Sequence, residues 1–306
     1  MELKRIEDIE KPEKSTVITV GVFDGVHVGH KFIFKELLEI GKKKKLLPLV
    51  ITFYPHPDTV LGKGKTLLIQ TLSQKIEKIR EEGIENVVAI RFDEDFSKIS
   101  AGDFIDILIK DFKMKGILVG ENFRFGKGME GNIDFLREIA KKKGFEVFTV
   151  KIFEIDGKKI SSSLIRNLLL EGRVEEVIPF LGRPYSIKGR VVRGFGIGKR
   201  LGIPTANIQS DNEILPMGVF VTKFHLKGKA LPSVTNIGHA PTLKETEKSV
   251  ESHIINFQGE ILGEEVEISL LTKIRDEMKF KDEKELRDRI IKDIEIAKDY
   301  FEKIKI

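Results

Sequence analysis

The chain has 306 residues, 33% of them charged and 41% hydrophobic, with a formal net charge of +5 and an isoelectric point near 9.0. Two domains or one large one are expected at that length, with enough apolar content to bury real cores. There is no cysteine, which excludes disulfides and thiolate metal sites. No apolar run approaches membrane-spanning length and Met1–Arg5 has no apolar signal core, so a cytoplasmic protein with no membrane partner is expected. The positive charge by itself suits a nucleic-acid binder. However, the clusters Lys42–Lys45 and Lys141–Lys143 fall at predicted helix ends beside Gly41 and Gly144, where cations complement the helix dipole. No basic stripe interleaved with aromatics accompanies them, and no nucleic-acid partner is expected.

The β-branched run Thr16–Val20 predicts a buried strand, and Lys31–Ile40 predicts a helix. Between them lies Gly21-Val22-Phe23-Asp24-Gly25-Val26-His27-Val28-Gly29-His30. A glycine-rich strand-to-helix turn exposes free N–H groups and the positive end of the helix dipole, which is where a phosphate binds. His27 and His30 are three apart, so near a helix start both imidazoles can face one point. A plain turn with two surface histidines is the ordinary alternative, yet the chain has only six histidines in all. The pattern resembles the signature of the HxGH nucleotidyltransferases and, more narrowly, the adenylyltransferase half of bacterial bifunctional riboflavin kinase/FAD synthetases. That resemblance implies that Gly21, Phe23, Gly25, His27 and His30 bind ATP, the histidines holding its triphosphate.

A second strand, Leu47–Phe53, exits through Tyr54-Pro55-His56-Pro57, where two prolines force extended backbone. By the resemblance, Pro55, His56 and Pro57 lie over the site at the carboxyl edge of the sheet, where open α/β folds bind ligands. Helices follow over 73–82, 100–112 and 132–143, with strands over 87–92, 116–120 and 145–153. This alternation predicts a parallel sheet covered by helices on both faces. The loop Gly120-Glu121-Asn122-Phe123-Arg124-Phe125-Gly126 is similar to a family loop in which the positions of Asn122 and Arg124 face flavin or nucleotide. Many members carry aspartate where Asn122 stands. Ile160-Ser161-Ser162-Ser163-Leu164-Ile165-Arg166 opens a further helix. Hydroxyls, free N–H groups and a guanidinium one turn in make a phosphate clamp. The string resembles the one with which HxGH transferases hold the outer phosphates of ATP, here through Ser162, Ser163 and Arg166.

Beyond residue 181 the texture changes to short strand-like runs separated by Gly and Pro, which predicts a small antiparallel barrel. Leu286, Ile290, Ile294 and Ala297 place one closing helix over 281–301. Two domains are expected, 1–180 and 181–306. The barrel opens with a glycine-rich flap containing Gly194, Gly196, Gly198, Lys199 and Arg200, followed by Pro204-Thr205-Ala206-Asn207. It is not a P-loop, because the motif and its helix are missing. On an extended chain Thr205 and Asn207 point the same way, and two hard oxygens side by side suit Mg²⁺. A hairpin tip with polar ends is the plainer reading. The passage is similar to the riboflavin kinase signature, which implies that Thr205 and Asn207 hold the metal and ATP phosphates under the flap. The family usually has arginine first where Lys199-Arg200 stands, so which of the two reaches phosphate stays open. The strand Val250-Glu251-Ser252-His253-Ile254 and the loop Arg275–Phe280 continue the likeness. They imply that Glu251 is the general base and that Arg275 and Phe280 lie on the flavin side.

The fold class expected is thus α/β, an N-terminal Rossmann-like nucleotidyltransferase domain plus a C-terminal β-barrel with a closing helix. The activity implied is phosphorylation of riboflavin to FMN, then adenylylation of FMN to FAD, with ATP and Mg²⁺. His27, His30, Arg166 and Glu251 would carry the catalysis. The alternative is a single-activity adenylyltransferase with a non-catalytic flavin-binding barrel. Oligomeric state is not legible.

Overall fold

The computed structural model describes residues 11–62, 64–151, 154–155, 158–194, 196–239 and 248–304. The chain packs as two compact units, one of residues 1–68 and 72–162, the other of 69–71 and 163–306.

The first unit is built on five parallel strands: β1 (Thr16–Val20), β2 (Leu47–Tyr54), β3 (Asn86–Arg91), β4 (Met114–Gly120) and β5 (Glu146–Val150). Their order is β3-β2-β1-β4-β5. Helices α1 (Val28–Lys44), α3 (Leu72–Glu81), α5 (Ala101–Asp111) and α6 (Ile133–Lys143) cover it, with two short turns, α2 (Pro57–Val60) and α4 (Glu94–Ser97). β1 is buried along its whole length, and its period of two divides the core. Ile18 and Val20 join Leu49, Ile51, Phe104 and Leu136 in one cluster. Val17 joins Phe34, Leu37, Val50 and Ile79 in the other. This is why β1 reads as an unbroken apolar run.

The helix expected to stop at Gly41 continues to Lys44. Gly41 is a contact rather than a cap. A Cβ there would meet Pro48 Cγ at 2.6 Å and the Leu46 carbonyl at 3.0 Å. Lys45, at φ 56°, ends the helix instead. Gly144 does end α6 in the left-handed conformation, behind Lys141, Lys142 and Lys143. The strand expected over 145–153 spans Glu146–Val150, with residues 152 and 153 outside the described residues. A small hairpin of β6 (Glu154–Ile155) and β7 (Lys158–Lys159) follows.

Helices α7 (Ser162–Leu170) and α8 (Val174–Leu181) come next. Packing divides the chain at 162/163, earlier than the change of texture near 180, because α8 lies on the barrel. Glu175 accepts from Thr272 Oγ1 at 2.5 Å and from the Lys273 N–H at 2.6 Å.

The second unit is a closed barrel of β8 (Tyr185–Val192), β9 (Ala206–Ser210), β10 (Gly218–Leu226), β11 (Lys229–His239), β12 (Lys248–Ile254) and β13 (Glu265–Arg275). A short helix, α9 (Ile197–Arg200), sits in the flap, and α10 (Glu283–Ile304) closes the chain. Ala297 of α10 packs on Val219, Val221, Val234 and Leu271. On the alternate positions of those strands Thr222, Ser233, Thr235 and Ser252 are fully buried and bond to one another at 2.7–3.0 Å. These hydroxyls satisfy one another, which removes the penalty of burying them.

Phe34 is fully buried and its ring meets Phe23 edge-on at 5.1 Å. Phe34→Ala is expected to destabilise the first unit by about 3–5 kcal/mol, read as a lowered midpoint in urea or thermal unfolding.

Candidate active site

Strand order in the parallel sheet reverses direction between β1 and β4. Loops leaving the carboxyl ends of those two strands turn to opposite sides there, the usual ligand position in open α/β sheets. The loops in question are Gly21–His27 and Glu121–Gly126, so two separately recognised motifs flank one switch point.

In the first loop Phe23, Gly25 and Val26 have φ of 50°, 84° and 41°. Left-handed backbone is costly for a bulky or β-branched residue, and the surroundings enforce it. Val26 is fully buried, and Phe23 packs edge-on to His30 at 5.2 Å. Gly21 is obligatory, because a Cβ would meet the Phe23 ring at 2.8 Å. His27 is the N-cap of α1, its Nδ1 accepting from the His30 N–H at 3.3 Å. The two imidazoles stack at 3.5 Å, 20° from parallel. Ser162, at the head of α7, donates to the Asp24 carbonyl at 2.9 Å. The serine string thereby meets the HxGH turn, and Ser163 and Arg166 follow on the same helix.

At the exit of β2, His56 caps α2, with Pro57 at its first position and the Asp58 N–H donating to Nδ1 at 3.2 Å. Pro55 precedes them. Beyond β4, Asn122 and Arg124 line a cleft of about 320 Å³ with Asn132 and Asp134. Phe123 and Phe125 stack beneath at 5.2 Å, and Phe125 bridges to Gly131.

The barrel assembles its own constellation. Glu251 pairs across the ladder with Asn207 on β9 and with Asn236 on β11. Directly paired residues share a face, so Asn207, Glu251 and Asn236 stand in a row. The flap lies over one end. A Cβ on Gly194 would fall 2.1 Å from Asn207 Nδ2, and one on Gly198 would fall 2.4 Å from the Ile203 carbonyl and 3.0 Å from Thr205 Oγ1. The loop after β13 lies over the other end. Glu277 accepts from the His239 N–H at 3.1 Å and would collide with a Cβ on Gly238. Burial pushes the Glu251 pKa up, opposed by a hydrogen bond from Thr205. A partly desolvated carboxylate beside two neutral hard oxygens is suited to taking a proton from an alcohol. No group of three or more His, Cys, Asp or Glu able to hold a metal occurs among the described residues. A Mg²⁺ brought in by nucleotide phosphates needs only the one or two hard oxygens that Thr205 and Asn207 offer.

The FAD synthetase family profile matches residues 9–164 and the riboflavin kinase profile residues 181–301. The chain belongs to the bifunctional riboflavin kinase/FMN adenylyltransferase family. Proteins of that name are 38% identical in Buchnera aphidicola subsp. Schizaphis graminum (98% of each chain), 36% in Bacillus subtilis (97% of this chain, 96% of the relative) and 33% in Escherichia coli K12 (95% of each). A solved structure described as a macrolide-efflux protein from Streptococcus pneumoniae superposes with a TM-score of 0.88, at 29% identity over 97% of each chain. No helix among the described residues here is long and apolar enough to cross a membrane.

Two residues expected at the barrel site have ion-pair partners of their own. Arg275, expected on the flavin side, directs its guanidinium at Asp293 of α10, with Nη2–Oδ2 at 2.8 Å and Nε–Oδ2 at 3.0 Å, and stacks 5.7 Å from Phe280. Arg200 pairs with Glu283 at 3.1 Å in an exposed contact, worth under about 1 kcal/mol. Gly196 takes φ 72° ahead of α9, while Lys199 and Arg200 occupy that helix. Phe195 of the flap and residues 240–247 lie outside the described residues. His253, read in the Val250–Ile254 strand but given no role of its own, has its Nδ1 2.9 Å from the carbonyl of Pro204, the residue before Thr205. Sequence reasoning passed over Lys75, which reaches the β1 turn from α3.

Asp293 is 1% exposed and also accepts from Arg289 at 3.1 Å. Asp293→Ala strands Arg275 without its partner, and a loss of about 3–5 kcal/mol in barrel stability is expected, measured by thermal unfolding of the full chain.

Proposed function

We propose that the chain makes FAD from riboflavin in two ATP-dependent transfers at two separate sites, with Mg²⁺ accompanying the nucleotide. The observation that carries this reading is the presence of both family domains, over residues 9–164 and 181–301.

In the barrel, Glu251 takes the proton of the riboflavin 5′-hydroxyl as that oxygen attacks the γ-phosphorus of ATP. The new P–O bond gives FMN, and ADP leaves. Thr205 and Asn207 hold the metal and the phosphates, and the flap with Gly194, Gly196, Gly198, Lys199 and Arg200 covers them. Mg²⁺, when bound, neutralises charge on the transferred phosphoryl group. Asn236 and His253 keep Glu251 and Thr205 in register.

In the N-terminal unit the FMN phosphate attacks the α-phosphorus of ATP, and pyrophosphate leaves. The nucleophile is already anionic, so no general base is needed. The work is charge stabilisation at the α-phosphate and the leaving group, assigned to His27, His30 and the free N–H groups at the start of α1. The head of α7, with Ser162, Ser163 and Arg166, is a second phosphate clamp. Asn122 and Arg124, with Pro55, His56 and Pro57, form the walls for flavin or adenine.

The first test is a chromatographic time course with riboflavin, ATP and Mg²⁺. FMN should appear and then give way to FAD. No FMN from riboflavin, with FAD formed from added FMN, would show that the barrel is not a working kinase. Glu251→Ala is expected to lower FMN formation by about 10²–10⁴-fold and to leave FMN-to-FAD conversion intact. Loss of both would count against two sites. Because Glu251 must be ionised to act and burial raises its pKa, FMN formation should fall on the acid side at a pH above the ordinary glutamate range. Gly194→Ala, which drives a methyl group into Asn207, is expected to cut riboflavin phosphorylation by about tenfold or more and leave adenylylation unchanged.

A further inference from the structure

Lys75 lies outside every motif, in the first half of α3. It is 2% exposed, a rare position for lysine unless it is paired. Its ammonium donates to the Val22 carbonyl at 3.0 Å and to the Phe53 carbonyl at 2.9 Å. Val22 belongs to the turn after β1. Phe53 is the penultimate residue of β2, two before Pro55. The Val22 carbonyl also accepts from Thr52 Oγ1 at 2.9 Å. One buried cation therefore joins the two segments that leave adjacent strands at the carboxyl edge of the sheet.

The same turn carries Asp24, 1% exposed. Burial lowers the Lys75 pKa to about 8, and the Asp24 charge acts in the opposite direction. At neutral pH the lysine is mostly protonated. A buried carboxylate within a phosphate-binding turn is unfavourable electrostatically, since it repels the anion the turn is shaped for. A cation in the same desolvated space cancels it, so that the N–H groups and the dipole of α1 face the ligand unopposed.

We propose that Lys75 is a positioning residue for adenylyl transfer, holding the β1 turn and the β2 exit through the Val22 and Phe53 carbonyls and balancing the Asp24 carboxylate beneath the nucleotide phosphates. This rests on the adenylyltransferase reading of the N-terminal unit. Lys75 touches no reacting atom. It acts through the turn that carries Phe23 and His27, and a displacement of about 1 Å in such a turn is worth about 10²-fold in rate.

The test uses the full chain and assays both reactions in each preparation. Lys75→Met keeps the stem and removes the charge and the donors. Its kcat/KM for ATP in FMN adenylylation should fall by about 10²-fold, with riboflavin phosphorylation within about twofold of wild type. Adding Asp24→Asn to Lys75→Met removes the negative charge that Lys75 balances and should recover about tenfold in kcat/KM, which a general loss of folding would not allow. Lys75→Met within about threefold of wild type, or a double variant no better than the single one, overturns the proposal. If Lys75→Met lacks the thermal transition of the first unit, Thr52→Val decides. That variant removes only the other donor to Val22, and should lower the same kcat/KM by about three- to tenfold with its transition intact; an unchanged value overturns the proposal. A wild-type chain that makes no FAD from added FMN overturns the adenylyltransferase reading itself, before any variant is made.

Discussion

The turn that leaves β1 is held in a conformation its residues would not choose. Phe23 and Val26 sit at positive φ, each at a cost of about 1–3 kcal/mol. Backbone like this persists only where the surroundings over-determine it, and every side of the turn is held. The Phe23 ring is clamped between His30 and Phe34, and Val26 is in the core. The Val22 carbonyl is fixed by Thr52 and Lys75, and the Asp24 carbonyl by Ser162. The outcome is a rigid start to α1 with two stacked imidazoles beside it. A turn that had to reorganise on binding would lose the advantage of preorganised charge stabilisation.

The barrel reaches a comparable end by a different route. Its site is a row across three antiparallel strands, Asn207, Glu251 and Asn236, fixed by register rather than by a turn. A slip of one residue would send Glu251 to the opposite face. The buried hydroxyls of Thr222, Ser233, Thr235 and Ser252 lie on β10, β11 and β12 and bond across them. They guard against such a slip, because any other pairing leaves polar groups buried without partners. Close approach does the remaining work. Gly194 and Gly198 leave no space for a side chain beside Asn207 and Thr205, so the flap can lie directly on the residues assigned to the metal and phosphates.

On the function proposed above, the two halves would handle ATP phosphates with different physics. The α/β unit would use helix N-termini, imidazoles and a turn balanced by a buried lysine. The barrel would use neutral oxygens, a half-desolvated carboxylate and a flap. Charges at the edge of the first unit, such as Lys44 with Glu146 and Lys142 with Glu138, are exposed pairs that contribute little to stability.

The sequence by itself determined the alternation of strands and helices and the position of the barrel. These follow from local properties: period, β-branching and glycine turns. Tertiary structure decided what depends on residues distant along the chain. It set the strand order that places the β1 and β4 loops at one switch point. It carried α1 past Gly41 to end at Lys45, and it put α8 on the barrel. It turned Arg275 onto Asp293, a partner 18 residues away, and it brought Lys75 and His253 to carbonyls of other segments. A lysine in an amphipathic helix reads as solvated whatever its role. Only the packed fold shows that its ammonium has left water, because burial and long-range hydrogen bonds have no local signature.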